Sequence, residues 1–349
     1  MIGHLIPKMR SLLLCSLLLW DTTTPCFSCA AVTVARGSVV NADQSVIMIW
    51  DKERKTQHFI RQANFKTDAK DVGFVIPSPS RPELEESGNE AFTTLKEITA
   101  PYVMSGGGSF SIGCSAPNAA IRKSGIQIVE EKRVAGYDAT VLTARSGNDL
   151  VAWLEQHGYP YSPELAEWAG PYLGGDWHFT ALKLAKEDKA NRDIKASALR
   201  ITFRTERPLF PYREPESATA KNQLDVSSRL LRIYFIAEAR YRGQMDHGDK
   251  WSGKAVWSND ITRHKASLLK SLKLPDSVDP GTWWLTEFED HWPYEKAAGD
   301  VHFLPDPEQK VLDIRSHGMP PAYDAGFLGA LLFFGMNVIF RRRKTKIDG

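Results

Sequence analysis

Short apolar runs and alternating apolar and polar positions recur along the chain with the period of two expected of strands. Val46-Ile47-Met48-Ile49-Trp50 is β-rich, the polar turn Asp51 to Lys55 follows, and extended character resumes from Gln57 to Phe65, which predicts a hairpin. Gly73 to Pro77 reads as a short strand stopped by Pro77, Pro79 and Pro82. Ile126 to Val129, Thr140 to Leu142, Trp177 to Leu184, Leu199 to Thr205 and Trp283 to Trp292 read as further strands. Leu230 to Tyr241 is the clearest of them, with Ile233, Phe235 and Ala237 alternating against Arg232, Tyr234 and Glu238. The period changes to that of a helix at Glu90 to Ile98, where Phe92, Leu95 and Ile98 recur at threes behind a candidate cap at Asn89. Another helix is predicted after Asn148, with Leu150, Val151 and Leu154 on one face and Gly158 as its stop, and a further helical turn from Pro163 to Trp168. The pattern predicts an α+β, strand-rich domain with a few short helices.

Two long apolar stretches at the ends break this pattern. Lys8 and Arg10 precede the run Leu12 to Trp20, the layout of a secretory leader and too short to cross a hydrocarbon core of about 30 Å. A cut after Ser28 or after Ala30 both satisfy the small-residue rule. Near the other end, residues 322–340 include Phe327, Leu331, Phe334 and Ile339 and stop at Arg341, Arg342 and Arg343. Nineteen residues at 1.5 Å each predict a single transmembrane helix, with the arginines on the cytoplasmic side and the bulk of the chain outside. The expected division is a leader at 1–28, a β-rich domain at 29–215, a second Trp-rich part at 216–298, a polar stalk at 299–321, the helix at 322–340 and a basic cytoplasmic tail at 341–349.

Charge and cysteine content refine this picture. The formal net charge is +2 over 349 residues, but the leader and basic tail together carry more than that excess, so the part between them is slightly acidic. That balance speaks against nucleic acid as a partner. A cut after Ser28 leaves Cys29 and Cys114 as an even pair in an oxidising compartment, which predicts a Cys29–Cys114 disulfide. A cut after Ala30 would leave Cys114 alone, and Cys26-x-x-Cys29 is open to a redox or metal reading.

Candidate chemistry is sparse. Gly106-Gly107-Gly108 is followed by no Gly-Lys-Ser/Thr, and Ser109 and Ser111 lack the Gly-x-Ser-x-Gly frame, so neither a phosphate cradle nor a nucleophile elbow is expected. Two acidic clusters with a histidine are candidate metal or acid–base sites: Asp246, His247 and Asp249, and Glu287, Glu289, Asp290 and His291. Neither has the His-x-x-x-His or Cys/His spacing of a dedicated metal site, and no cofactor motif is present. Trp251, Trp257, Trp283, Trp284 and Trp292 form a candidate aromatic binding face, of the kind that stacks sugars or anchors a protein partner. The competing reading is that these tryptophans are core.

Several stretches in order carry a family resemblance. They are Cys29, Gly73-Phe74-Val75-Ile76-Pro77-Ser78-Pro79, Ile112-Gly113-Cys114 after the glycine run, Gly136-Tyr137-Asp138, Leu150 to Gly158, and Thr202 to Arg213. Over about residues 29–240 the chain resembles a bacterial family catalogued as domain of unknown function 2330. The resemblance implies an exported, membrane-associated protein and supplies no catalytic or ligand residue to carry over. The glycine-rich stretch holds one cysteine, Cys114, where relatives often show more. The expectation is a membrane-anchored protein of the cell envelope, a binding or structural module with a carbohydrate or protein ligand outside the cytoplasm. The alternative is an exported hydrolase or metalloenzyme using the acidic clusters at 246–249 or 287–291.

Overall fold

Strands that bury both of their faces organise this molecule into layers. A computed structural model describes residues 31–32, 39–41, 44–62, 65–67, 73–100, 125–159, 164–184, 197–213, 229–275, 278, 281–292 and 299–315. The strands are β1 (Ala31–Val32), β2 (Val39–Asn41), β3 (Gln44–Asp51), β4 (Thr56–Arg61), β5 (Phe65–Thr67), β6 (Gly73–Ser78), β7 (Glu83–Ser87), β8 (Ile126–Val134) and β9 (Tyr137–Ala144). They continue with β10 (His178–Leu184), β11 (Ala198–Arg204), β12 (Leu209–Phe210), β13 (Arg229–Ala237), β14 (Tyr241–Met245), β15 (Lys254–Asp260), β16 (Trp284–Trp292), β17 (Val301–Pro305) and β18 (Leu312–Asp313). The helices are α1 (Glu90–Thr99), α2 (Gly147–Gln156), α3 (Glu164–Ala169) and α4 (Lys265–Ser271).

An eight-stranded sheet runs β18-β15-β16-β13-β3-β4-β11-β7, and a five-stranded sheet runs β1-β6-β10-β9-β8. Val46, Met48, Phe59, Ile201, Ile233 and Phe235 of the first meet Phe74, Ile76, Tyr137, Val141 and Leu182 of the second in one buried core. The outer face of the large sheet is covered by α1 and α4 through Phe92, Leu95 and Leu268. The outer face of the small sheet is covered by α2 and α3 through Leu150, Trp153, Leu154, Leu165 and Trp168. A three-stranded sheet, β12-β17-β14, extends the central core with Phe210, Tyr241, Val301 and Phe303. The result is a four-layer α/β/β/α arrangement, the strand-rich α+β class read from the pattern.

Several predicted elements stand where the periodicity placed them. The β3–β4 hairpin pairs Val46 with Arg61 and Asp51 with Thr56. The strands read at 126–129 and 140–142 fall within the longer β8 and β9, which form a hairpin turning on Ala135 and Gly136, with φ of 54° and 83°, the pair of positive values that a tight two-residue turn requires. Gly158, at φ 66°, follows the end of α2 as its left-handed stop.

Other readings are corrected. Asn89 precedes α1 but its side chain makes no capping hydrogen bond. Ser146, not Asn148, caps α2, its hydroxyl accepting from Asp149 N at 3.1 Å. In β13 the side expected to be polar is buried as well, with Tyr234 at 2% exposure and Ile236 at 0%, because α1 and α4 cover it. β13 pairs parallel to β3 and antiparallel to β16, so the large sheet draws strands from both sides of the expected boundary at 215/216. Residues 299–315 of the expected stalk are part of the fold: β17 pairs with β12 and β14, and β18 with β15.

The leader, Cys29, Cys114, the glycine run, residues 214–228 and the apolar stretch with Phe327, Leu331, Phe334, Ile339, Arg341, Arg342 and Arg343 lie outside the described residues. Among the described residues no helix is long and apolar enough to cross a membrane.

Candidate functional site

The candidate site forms where β14 ends and β17 passes beside it. Their register sets Gln244 opposite His302 and Met245 opposite Val301. One turn of 3-10 helix, Asp246–Gly248, then leaves the sheet, and Gly248 adopts φ 84° as the chain reverses. Asp246 N donates to Asp300 O at 3.0 Å, and Asp300 N donates back to Asp246 Oδ2 at 2.9 Å. That reciprocal pair fixes the Asp246 carboxylate beside β17. Its Oδ1 lies 2.8 Å from His302 Nε2, and Arg213 stands 3.6 Å from its Oδ2. The hydrogen bond from His302, helped by Arg213, holds the Asp246 carboxyl below the usual range. A small cleft of about 90 Å³ opens against these groups, lined by Arg207, Gln244, Met245, Asp246, Gly248 and His302, with Leu304 as its apolar wall.

A buried acidic network lies behind the cleft. Asp300 Oδ1 accepts from Tyr172 OH at 2.7 Å, Tyr212 N at 3.1 Å and Arg213 N at 3.3 Å. Tyr212 OH donates to Asp290 Oδ2 at 2.6 Å, and Ser252 Oγ donates to the same oxygen at 3.1 Å. Burial pushes the carboxyls of Asp290 and Asp300 above their ordinary values. Tyr212, far from both in sequence, thus links two acids, one through its backbone and one through its ring hydroxyl.

The two predicted acidic-histidine clusters are not gathered as expected. In the first, Asp246 reaches the cleft, Asp249 is exposed, and the side chain of His247 lies outside the described residues. In the second, strand alternation divides the cluster. Glu287 and Glu289 meet Arg232 and Arg315 at distances from 2.5 to 2.8 Å, while Asp290 turns to Tyr212 on the other face. His291 is exposed. Among the described residues no group of three or more His, Cys, Asp or Glu is placed to hold a metal ion.

The tryptophans are corrected too. Trp251 is 3% exposed and meets Tyr212 edge-on and Phe288 at a tilt inside the central core, and Trp283 is fully buried beneath the helices. Trp257 packs partly buried against that helix-side core, and Trp284 donates its indole N–H to Ser258 Oγ at 2.7 Å. The Trp292 side chain lies outside the described residues. Of the predicted aromatic binding face, Trp251 and Trp283 are core, and Trp257 and Trp284 are partly buried.

His302, Asp300 and Tyr172 were not singled out in the sequence. Asp300 and His302 sit in a polar, proline-bearing stretch that read as a stalk. Arg207, Tyr212 and Arg213 lie in the Thr202–Arg213 segment that carried the family resemblance, which was the one available signal.

Fold and site together define a four-layer, strand-rich α+β domain with a buried acid network behind a small acid–histidine cleft. The chain belongs to the family described as an uncharacterized protein conserved in bacteria, DUF2330, whose model matches residues 22–304. No curated protein matches it. Among solved structures, that of baculovirus P35 is similar at 10% sequence identity and a TM-score of 0.31, over 79% of this chain and 96% of that one.

Proposed function

We propose that this chain is a membrane-anchored, extracytoplasmic protein of the bacterial cell envelope that acts by binding, with the Asp246–His302 cleft as its recognition site. The leader pattern at 1–28 and the apolar segment at 322–340 with its arginine stop support the anchoring. The observation that carries binding over catalysis is the internal pairing of the acids. Asp246 is held by His302 and Asp300 N, and Glu287 by Arg232 and Arg315. A general acid or base works by proton exchange with a substrate group in hydrogen-bond reach. Carboxylates locked on protein partners instead shape a fixed surface. The cleft suits one small polar group, such as a sugar hydroxyl or a side-chain amide, met by Arg207 and Gln244 on a wall made rigid by β14 and β17. A carbohydrate or protein of the envelope is the ligand class.

Two measurements test this reading. Protease added to intact cells is expected to digest the domain while an epitope placed after Lys346 stays protected. Recovery of the intact, unprocessed chain dissolved in the cytosol overturns the topology. For the ligand, the detergent-solubilised full chain is applied to arrays of envelope glycans and to muropeptides, beside Gln244→Ala and His302→Ala. Retention by wild type that both variants lose supports the cleft, and equal retention by all three overturns it.

The second reading is an exported hydrolase, favoured by the 2.8 Å Asp246–His302 pair at the cleft wall, an arrangement that can orient an imidazole for proton transfer. Turnover of chromogenic ester or glycoside substrates that His302→Ala abolishes would establish it.

A further inference from the structure

Arg315 is the last described residue, and it is held firmly. Its Nη1 donates to Thr99 O at 3.0 Å and Glu287 Oε2 at 3.1 Å, and its Nη2 to Glu287 Oε1 at 2.6 Å. Just before it, Ile314 N donates to Val256 O at 3.1 Å, and β18 pairs with Trp257 and Ser258 of β15. The chain is therefore fixed to the edge of the eight-stranded sheet up to residue 315.

Only residues 316–321 separate this point from the apolar segment beginning at Ala322. Fully extended, that length of chain reaches at most about 25 Å. Of the large hydrophobic side chains exposed among the described residues, Val311 at 60% and Ile314 at 48% flank β18 itself. The other, Ile128 at 45%, lies on β8, the edge of the five-stranded sheet. Scattered exposed apolar residues are ordinary. A pair on a rigid edge within a short tether of a bilayer is different, because the tether makes contact with lipid intramolecular. Trp257, partly buried beside Asp313, is the residue type that interfaces favour. Lys310 and Glu308 are both exposed next to Val311, so the edge carries no strong preference for one headgroup charge.

We propose that the β18 edge docks on the outer surface of the bilayer that holds the C-terminal apolar segment, with Val311 and Ile314 at the boundary between headgroups and acyl chains. The proposal rests on the anchored reading above. It places the domain directly on the membrane rather than on an extended stalk.

The test uses the full chain reconstituted in bilayers of phosphatidylcholine and phosphatidylglycerol. The photoreactive residue p-benzoylphenylalanine is placed at position 311, 314 or 128 in turn, and adducts are read by mass spectrometry after irradiation. Several-fold more lipid adduct at 311 and 314 than at 128 is the expected result. Similar yields at all three positions in protein that floats with the vesicles overturn the docking and leave the anchor standing. Adducts at 311 and 314 to a second copy of the chain overturn it as well. Failure of the protein to float with vesicles removes the anchor and the docking together.

Discussion

Arg315 and Glu287 form a two-pronged ion pair, Nη1 to Oε2 at 3.1 Å and Nη2 to Oε1 at 2.6 Å, around a carboxylate whose residue is 0% exposed. Arg232 Nε meets the same carboxylate at 2.7 Å from β13. An internal strand thus carries a buried acid whose charge is balanced from both sides, once from the sheet and once from the last described residue. Removing one cation leaves a buried charge with half of its compensation. Arg315→Met is expected to lower stability by roughly 2–4 kcal/mol, less than loss of a sole partner because Arg232 remains. Arg315→Met combined with Glu287→Gln is expected to recover part of that loss. Urea unfolding of the four proteins in a double-mutant cycle measures both, and additive effects would show that the pair is not coupled.

Asp300 accepts three hydrogen bonds on one oxygen, from Tyr172 OH, Tyr212 N and Arg213 N. Its buried carboxyl is already pushed toward the neutral form by desolvation. Asp300→Asn keeps an acceptor there and is expected to cost less than about 1 kcal/mol. Asp300→Ala leaves those donors without their acceptor and is expected to cost about 3 kcal/mol or more. Thermal unfolding of the two variants side by side checks the order, and equal losses would contradict it.

His58 sits in the large sheet with Nδ1 2.9 Å from Thr202 Oγ1, and burial, with Arg200 nearby, lowers its pKa from 6.5 to about 4. The unfolded chain therefore binds this proton at a higher pH than the folded one does. Between about pH 6.5 and 4 the unfolded state is the more protonated, so stability falls as pH falls through that window. The contribution is roughly 3 kcal/mol across the window. The buried Asp290 and Asp300, with raised values, act in the opposite sense, so the comparison must be a difference. The stability of wild type minus that of His58→Gln is expected to decline on acidification from pH 6.5 to pH 4. A flat difference profile would refute the assignment.

Gly147 opens α2 where it meets α3. A Cβ on it would stand 2.2 Å from Ala166 O and 2.8 Å from Ala166 Cα. Backbone cannot yield as a flexible side chain does, so Gly147→Ala is expected to lose about 1–3 kcal/mol despite alanine's better helix propensity. Gly170, whose added Cβ would meet nothing within 4 Å, serves as the control. Gly170→Ala is expected to leave the melting temperature near wild type, and a Gly147→Ala variant equally unaffected would mean that α2 and α3 can move apart.

Much of the secondary structure was legible because it depends on neighbours a few positions apart. The β3–β4 hairpin, the β6 strand, α1 and α2 all follow from apolar spacing and turn residues that a short window contains. The errors have physical causes. Asn148 yielded to Ser146 at the head of α2 because the Ser146 hydroxyl reaches Asp149 N. Tyr234 looked solvent-facing because alternation reveals that a strand has two sides but not whether a second layer covers the outer one. Val301 to Pro305 read as a stalk because its proline, the acids Asp300 and Asp306 that flank it and its short apolar run resemble a linker until β12 and β14 are placed on either side of it.

The candidate site was less legible than the fold, and for a related reason. Asp246 stood out beside His247, yet its partners are His302 and Asp300, and Tyr212 joins Asp300 to Asp290. Such meetings depend on which strands become neighbours, and a side chain carries no mark of a partner dozens of residues away. The amino-acid order alone determined the strand-rich class, most elements and the membership implied by its ordered motifs, since each is written in local spacing. Tertiary structure alone decided that Trp251 and Trp283 are core, that Glu287 is neutralised from both sides, and that Asp246 and His302 share a cleft. Burial and charge balance belong to the packed layers, where residues distant in the chain exclude water from one another.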